Sequence, residues 1–428
     1  MLSPARPDPA DPRMQFRWYL GGVGAWFASF GLQSVVTTYL LATVLHEPAN
    51  LIGFAQFLMN LPAVFLLLVG GAVADHVDNR RLMIVLHGLA ALPATLLALT
   101  VVLGLLEYDA VVAYGLGMGT ITAFMMPARE AMLGRVIVQD GDGAVQRAVT
   151  NMLGVQFIAQ MIGMALTLSA RFAGIAPMLA LQAVIQLFGA FSASHLAPAP
   201  ERGASERHSL RMHAWRIVEG VREVGRSPAL LPITIVTFSI GILLIGSFIV
   251  ILPLIMREEY GGTVVQFALL QLAFWSGSIS ASLSVARLGN IAARGRLVTL
   301  ALVIGGGALM LFALQTPLPL FYLLVFVWGT GAGLMISMAR TIVQENAPPA
   351  HLARVMSVYQ LGFTGGMPIG AVILGFIVHA FGARTAALVP GAAMMLVLAV
   401  LLVTTELWRI RSPEAGTKRA TQSLAPAD

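Results

Sequence analysis

Residues 82–105 read LMIVLHGLAALPATLLALTVVLGL, with Arg80-Arg81 just before the run and Glu107 and Asp109 just after it. No residue inside it is an acid, a lysine or an arginine. A helix needs roughly 20 apolar residues to cross the hydrocarbon core of a bilayer. Lipid offers the backbone no hydrogen-bond partners, so a spanning segment must be a helix or part of a closed barrel. Barrel strands alternate polar with apolar residues, and this run does not. It therefore reads as a membrane-crossing helix. Working outward, similar runs cover about 18–45, 50–75, 82–105, 109–128, 145–169 and 178–197, then 229–255, 263–286, 297–315, 319–340, 353–379 and 385–407.

Composition agrees. Hydrophobic residues make up 57% of the 428, charged residues 11%, and mean hydropathy is +0.82. A water-facing surface takes roughly 25% charged residues, so a set of soluble domains is excluded. There is no cysteine, which rules out disulfides, thiolate metal sites and cysteine nucleophiles. The start, 1–17, is Pro-rich with mixed charge, unlike the basic n-region of a signal peptide; the first run is expected to stay as helix 1.

The net charge of +6 does not point to nucleic acid, because the basic residues punctuate the apolar runs. If both termini are cytoplasmic, 23 of the 26 basic residues fall in cytoplasmic segments; only Arg171, Arg257 and Arg384 fall outside. That is the positive-inside pattern, and a missed helix would scramble it. The chain also looks duplicated: Arg81 and Arg129 are matched by Arg296 and Arg340 at a similar spacing. The organisation expected is a tail (1–17), a six-helix bundle (18–197), a cytoplasmic loop (198–228), a second six-helix bundle (229–407) and a second tail (408–428). Within the loop, Leu210, Ala214, Ile217, Val218, Val221 and Val224 recur at helical spacing among arginines, as in an interfacial helix held to anionic lipid. Residues 411–428 read as a disordered tail.

Gly71-Ala72-Val73-Ala74-Asp75-His76-Val77-Asp78-Asn79-Arg80-Arg81 resembles the loop 2–3 signature of the major facilitator superfamily, a Gly, an Asp four later and a basic pair. The chain departs at His76 and Asn79, where the family usually has Arg and Gly. Met126-Pro127-Ala128-Arg129-Glu130-Ala131, Arg354-Val355-Met356-Ser357, Gly365-Gly366-Met367-Pro368-Ile369-Gly370 and His379-Ala380-Phe381-Gly382-Ala383-Arg384 resemble the enterobactin-exporter and macrolide-efflux branch. Helix 5 carries Gln160-Met161-Ile162-Gly163-Met164-Ala165, without the proline usual in such exporters. The resemblance implies an all-α membrane protein of two pseudo-symmetric six-helix bundles, a cavity near the bilayer midplane and alternating access.

It also implies site residues. Asp75, Arg80, Arg81, Arg129, Glu130 and Arg340 sit at helix ends as a gate or coupling cluster, or else as a structural salt-bridge cluster. Helices 1, 4, 7 and 10 line the cavity in the family. Candidate substrate contacts are Trp26, Phe30, Gln33 and Thr37 on helix 1, Tyr114, Met118 and Thr122 on helix 4, and Trp328 and Met335 on helix 10. Amides are costly in lipid and should face the interior, which adds Asn60, Gln156, Gln160, Gln271 and Gln360. Glycines at 305–307, 329, 331 and 333 should permit close helix crossings. No carboxylate lies near mid-span, and His87 and His195 lie near span ends, so no paired acid and base for an enzyme is visible.

The reading that follows is a monomeric secondary transporter of the bacterial inner membrane, without cofactor or metal. It would export small amphipathic compounds with protons as coupling ion and lipids as surroundings. The alternative is a lipid or lysophospholipid flippase or importer of the same fold; a membrane enzyme or a non-transporting sensor is remote.

Overall fold

The computed structural model describes residues 11–137, 144–198, 219–289, 291–348 and 351–411. Among them there is no strand, and twelve helices are long and apolar enough to cross a membrane. They are α1 (Pro12–Val44), α2 (Ala49–His76), α3 (Asn79–Val102), α4 (Tyr108–Val136), α5 (Val145–Ala173) and α6 (Ile175–Ser194). Then come α7 (Leu230–Tyr260), α8 (Val264–Leu288), α9 (Arg294–Leu311), α10 (Leu318–Asn346), α11 (Leu352–Phe381) and α12 (Ala383–Thr404). Several outrun their apolar stretches. Hydropathy marks where a helix meets lipid, whereas backbone hydrogen bonding continues to the cap. Thus α4 carries Arg129, Glu130 and Arg135, and α10 carries Arg340 and Glu345. The Asp11 carboxylate accepts from the Arg13 N–H at 2.9 Å and that of Asp78 from the Arg80 N–H at 3.1 Å, so each is an N-cap.

The chain divides into two compact units. The first holds α1, most of α2, α3 to α6 and 262–268; the second holds 48–57, the rest of α8, α7 and α9 to α12. Of the expected amphipathic loop helix, 219–226 is helical, and Glu219 pairs with Arg354 at 2.7 Å. Its earlier part, through Leu210, Ala214 and Ile217, lies outside the described residues, as do 1–10 and 412–428.

Glycine makes the packing possible. Helices in lipid gain little from hydrophobic burial and associate through close backbone approach at small residues. In the first unit a Cβ on Gly31 would strike the Gln160 carbonyl, and one on Gly163 the Ala28 carbonyl, so α1 and α5 touch backbone to backbone. Gly70 meets Ala123 and Gly119 meets Met59, joining α2 to α4. The second unit repeats both crossings six helices later. Gly241, Gly246, Gly366 and Gly370 join α7 to α11, while Gly277, Gly329 and Gly333 join α8 to α10. Even the turns correspond: Gly174 (φ +83°) links α5 to α6 and Gly382 (φ +77°) links α11 to α12, a region glycine enters without a Cβ clash. The first helix of each set carries a π-helical stretch, Leu40–Val44 closing α1 and Ile240–Ile245 within α7.

Two of the glycines singled out in the sequence take no part in these crossings. Gly71, the signature glycine, has nothing within 4 Å of a built Cβ, and its neighbour Gly70 makes the close approach instead. Gly307 likewise has no neighbour at that range.

Gly163→Val should therefore force α1 from α5 and cost about 1–3 kcal/mol of overpacking, seen as lower folded yield and an earlier thermal transition by size-exclusion chromatography. Gly307→Ala, with open space around it, should leave both unchanged.

Candidate functional site

The second unit contains an apolar cavity of about 280 Å³. Its walls come from the π-helical stretch of α7 (Ile240, Leu244, Ile245), from Phe248, Phe274 and Trp275, and from Trp328 and Met335 of α10. Gly305 and Gly331 expose backbone where side chains would fill the space. The rings form a connected set: Phe274 lies 4.4 Å from Phe248 and 5.5 Å from Trp328, centroid to centroid, and Trp328 meets Phe312 edge-on at 5.8 Å. Such edge-to-face contacts hold large side chains in fixed orientation. No charged side chain lines the cavity. Its size is just below the 300–1,000 Å³ range, roughly, of small-molecule pockets, and its chemistry suits an uncharged ring system. Trp328 and Met335, both expected from sequence as substrate contacts, meet here.

The interior of the first unit is polar. The His87 Nδ1 is 2.7 Å from the Gln186 Oε1, and the Gln186 amide N–H donates to the Ser29 Oγ at 2.8 Å. One turn away on α6, the Gln182 Oε1 accepts from the Tyr114 hydroxyl at 2.8 Å. Trp26 stands edge-on to the His87 ring, 5.8 Å between centroids. All six side chains are buried. Trp26 and Tyr114 are sequence candidates for a substrate cavity; the structure places them in this core. His87, Gln182 and Gln186 are not among the sequence candidates. The signal is present nonetheless: Gln182 and Gln186 are i,i+4 amides in an otherwise apolar run, and such groups in lipid must find partners.

The expected charge cluster is only partly assembled. Arg129 is buried, its guanidinium 4.8 Å above the Phe27 ring and 3.2 Å from Glu130, and its carbonyl accepts from the Tyr19 hydroxyl at 3.2 Å. Arg80 donates to the Ser194 carbonyl at 2.6 Å. Asp75, Arg81 and Arg340 are exposed. From outside α4, Asp78 rather than Asp75 meets an arginine of that helix, 3.5 Å from Arg135. In the second unit Arg294, at the start of α9, pairs with Glu345, near the end of α10. Both pairs join the start of the third helix of a set to the end of the fourth, with acid and base exchanged.

The remaining candidates scatter. Thr37, Met118, Gln160 and Gln271 are buried; Gln33, Asn60, Thr122 and Gln156 are half-buried; Phe30 and Gln360 are exposed. The Thr122 hydroxyl donates to the Met118 carbonyl one turn back, at 2.7 Å. The four residues of the α1 stripe do not share one environment, since Trp26 is enclosed and Phe30 is 40% exposed. Among the described residues no three His, Asp or Glu side chains are placed to hold a metal ion.

Residues 16–425 match the sequence family described as "Transmembrane secretion effector". The multidrug efflux pump Tap of Mycolicibacterium fortuitum is 27% identical over 363 residues, 80% of this chain and 84% of that protein. The fold is similar to that of a point mutant of the peptide transporter POT, with a TM-score of 0.73, 14% identity and coverage of 94% of this chain and 96% of the other. The nucleoside transporter NupG superposes with a TM-score of 0.69 at 15% identity, covering 91% of this chain and 98% of that one. Family and fold are those of transporters, not of enzymes.

Ala332 faces the aromatic cavity. Ala332→Phe should fill it and weaken binding of Nile red to the purified protein about tenfold, or about 1.4 kcal/mol, in a fluorescence titration.

Proposed function

The chain belongs to the transmembrane secretion effector family of the major facilitator superfamily, and from that premise we propose that it exports small, amphipathic, ring-containing compounds across the bacterial inner membrane, driven by protons. The observation carrying this reading is the uncharged aromatic cavity among α7 to α11. A pocket without a fixed charge discriminates by shape and apolar area, and so accepts varied cargo. Flexible methionine, present here as Met335, adapts to differently shaped cargo. The Tap relative, described as a multidrug efflux pump, favours the same direction. The bias of Lys and Arg between alternate loops supports a cytoplasmic location for both termini.

Alternating access needs charge contacts that form in one state and break in the other. The Asp78–Arg135 and Arg294–Glu345 pairs are suited to that, because each joins the start of one helix to a point near the end of another. Asp75, exposed on the last turn of α2, keeps its place as a coupling carboxylate, with Arg80, Arg81, Arg129, Glu130 and Arg340 as the surrounding charges. The proline-free α5 leaves a lipid or lysophospholipid carrier as the second reading.

Cells expressing the wild type should accumulate less Hoechst 33342 and ethidium than control cells, and a proton uncoupler should abolish the difference. Asp75→Asn should raise accumulation toward the control. Equal accumulation across chemically distinct dyes would sink drug export and bring lysophospholipid uptake forward as the next assay.

A further inference from the structure

His87 is fully enclosed in the first unit, yet only one of its two ring nitrogens has a partner. Gln186 gives its amide N–H to Ser29, which turns its carbonyl oxygen toward the His87 Nδ1. That arrangement keeps the proton of the neutral ring on Nδ1 and leaves a bare lone pair on Nε2. A buried acceptor without a donor is rare enough to need a reason. The space around it is built by glycine. A Cβ on Gly189 would overlap Nδ1 and Cε1 of the ring. On the other side, a Cβ on Gly22 would lie 3.9 Å from Nε2, 3.8 Å from the Met83 Cε and 4.0 Å from the Gly189 carbonyl. All three are ordinary contacts, so a hole the size of a methyl group or a water molecule borders the lone pair.

We propose that His87 Nε2 is a proton-binding site of this transporter, loaded from water admitted into the space that Gly22 leaves open. This rests on the reading of the chain as a proton-driven exporter. Loading forms one N–H bond at Nε2 and breaks one O–H bond of hydronium, leaving water; release reverses both, and nothing is oxidised or reduced. From α1 the ring is faced by Trp26 and from α6 by Gln186, which is tied in turn to Ser29 of α1; one turn away on α6, Gln182 accepts from Tyr114 of α4. None of these is charged. Of the two arginines that open α3 itself, Arg81 is exposed and Arg80 is held by the Ser194 carbonyl. The imidazolium would have no counterion, so the enclosed state expels the proton and only a hydrated state takes it up. That difference between two states is what coupling requires.

The proton itself is the probe. A protonated imidazole quenches a neighbouring indole, and for His87 that neighbour is Trp26; Trp18 stacks on His195 with 4.3 Å between centroids, so every titration is run in a Trp18→Phe background. Purified protein titrated from about pH 8 to about pH 5, the range in which histidine changes charge, should show a step in tryptophan fluorescence as protonation draws the population into the hydrated state. The step should vanish in His87→Asn, whose side-chain amide can still donate to Gln186 and so keeps the structural contact, and in Trp26→Phe. Gly22→Ala should fold normally, since its methyl meets nothing closer than 3.8 Å, and should suppress the step by filling the hole. A wild type without a step, or a step that survives His87→Asn, overturns the site; an unchanged step in Gly22→Ala overturns the route. Dye efflux from proteoliposomes separates this from the parent reading. A pH gradient should drive it in wild type and about tenfold more slowly in His87→Asn. If no gradient drives the wild type while the step is present, proton-driven export fails and the site stands.

Discussion

Backbone approach at glycine is the constraint on which the rest depends. Once every peptide group is satisfied within its own helix, as lipid demands, little remains to hold one helix to the next. Leu or Val on the surface is as content against acyl chains as against another helix, so affinity must come from contacts that side chains would prevent. Gly31 and Gly163 bring α1 onto α5, and Gly241, Gly246, Gly366 and Gly370 do the same for α7 and α11. Everything else in each unit, including the aromatic cavity and the histidine core, occupies space these crossings define.

The same pairings recur six helices apart, but their interiors differ. Where α3 crosses α6, a histidine lies against Gly189 and reaches a glutamine. Where α9 crosses α12, Gly306 lies against Gly391 and the Met395 methyl. One crossing is filled by a titratable ring in a polar network, the other by apolar side chains. The charge pairs at the helix ends differ too: Asp78 with Arg135 in one unit, Arg294 with Glu345 in the other. Exchanging acid and base preserves the contact while reversing its polarity, so the absence of an acid before α9 does not deprive the second unit of its pair.

Much of the fold was legible because the solvent that selects it is simple. A run such as 82–105 has one spanning solution, and a single helix missed or added would scramble the alternation of arginines. Pairing was less legible. The signature pointed to Gly71, but the helix face that meets α4 belongs to Gly70, and a shift of one residue turns a helix by about 100°. The same limit applies to acids: Asp75 and Asp78 both lie in the signature, and only the start of α3 decides that Asp78 caps it and reaches Arg135. Trp328 and Met335, seven residues apart, are on one face at any reasonable helix geometry, and both line the cavity. Trp26 and Phe30 part because Phe30 lies at the edge of the α1 stripe, exposed between the enclosed Trp26 and the buried Thr37.

His87 is easily passed over, because an apolar run gives no reason to weigh a residue near its end. Its burial depends on α6, whose Gly189 clears room for the ring and whose Gln186 fixes its tautomer. Both partners are distant from it in sequence. A hydropathy profile weighs a residue against lipid, but His87 never meets lipid; it meets other helices. For such a residue the relevant free energy is that of one network opening to water, and that quantity is set by packing. The side chains that can change state in a membrane protein are therefore those whose surroundings are written in other helices, which is why they are the hardest to read from their own.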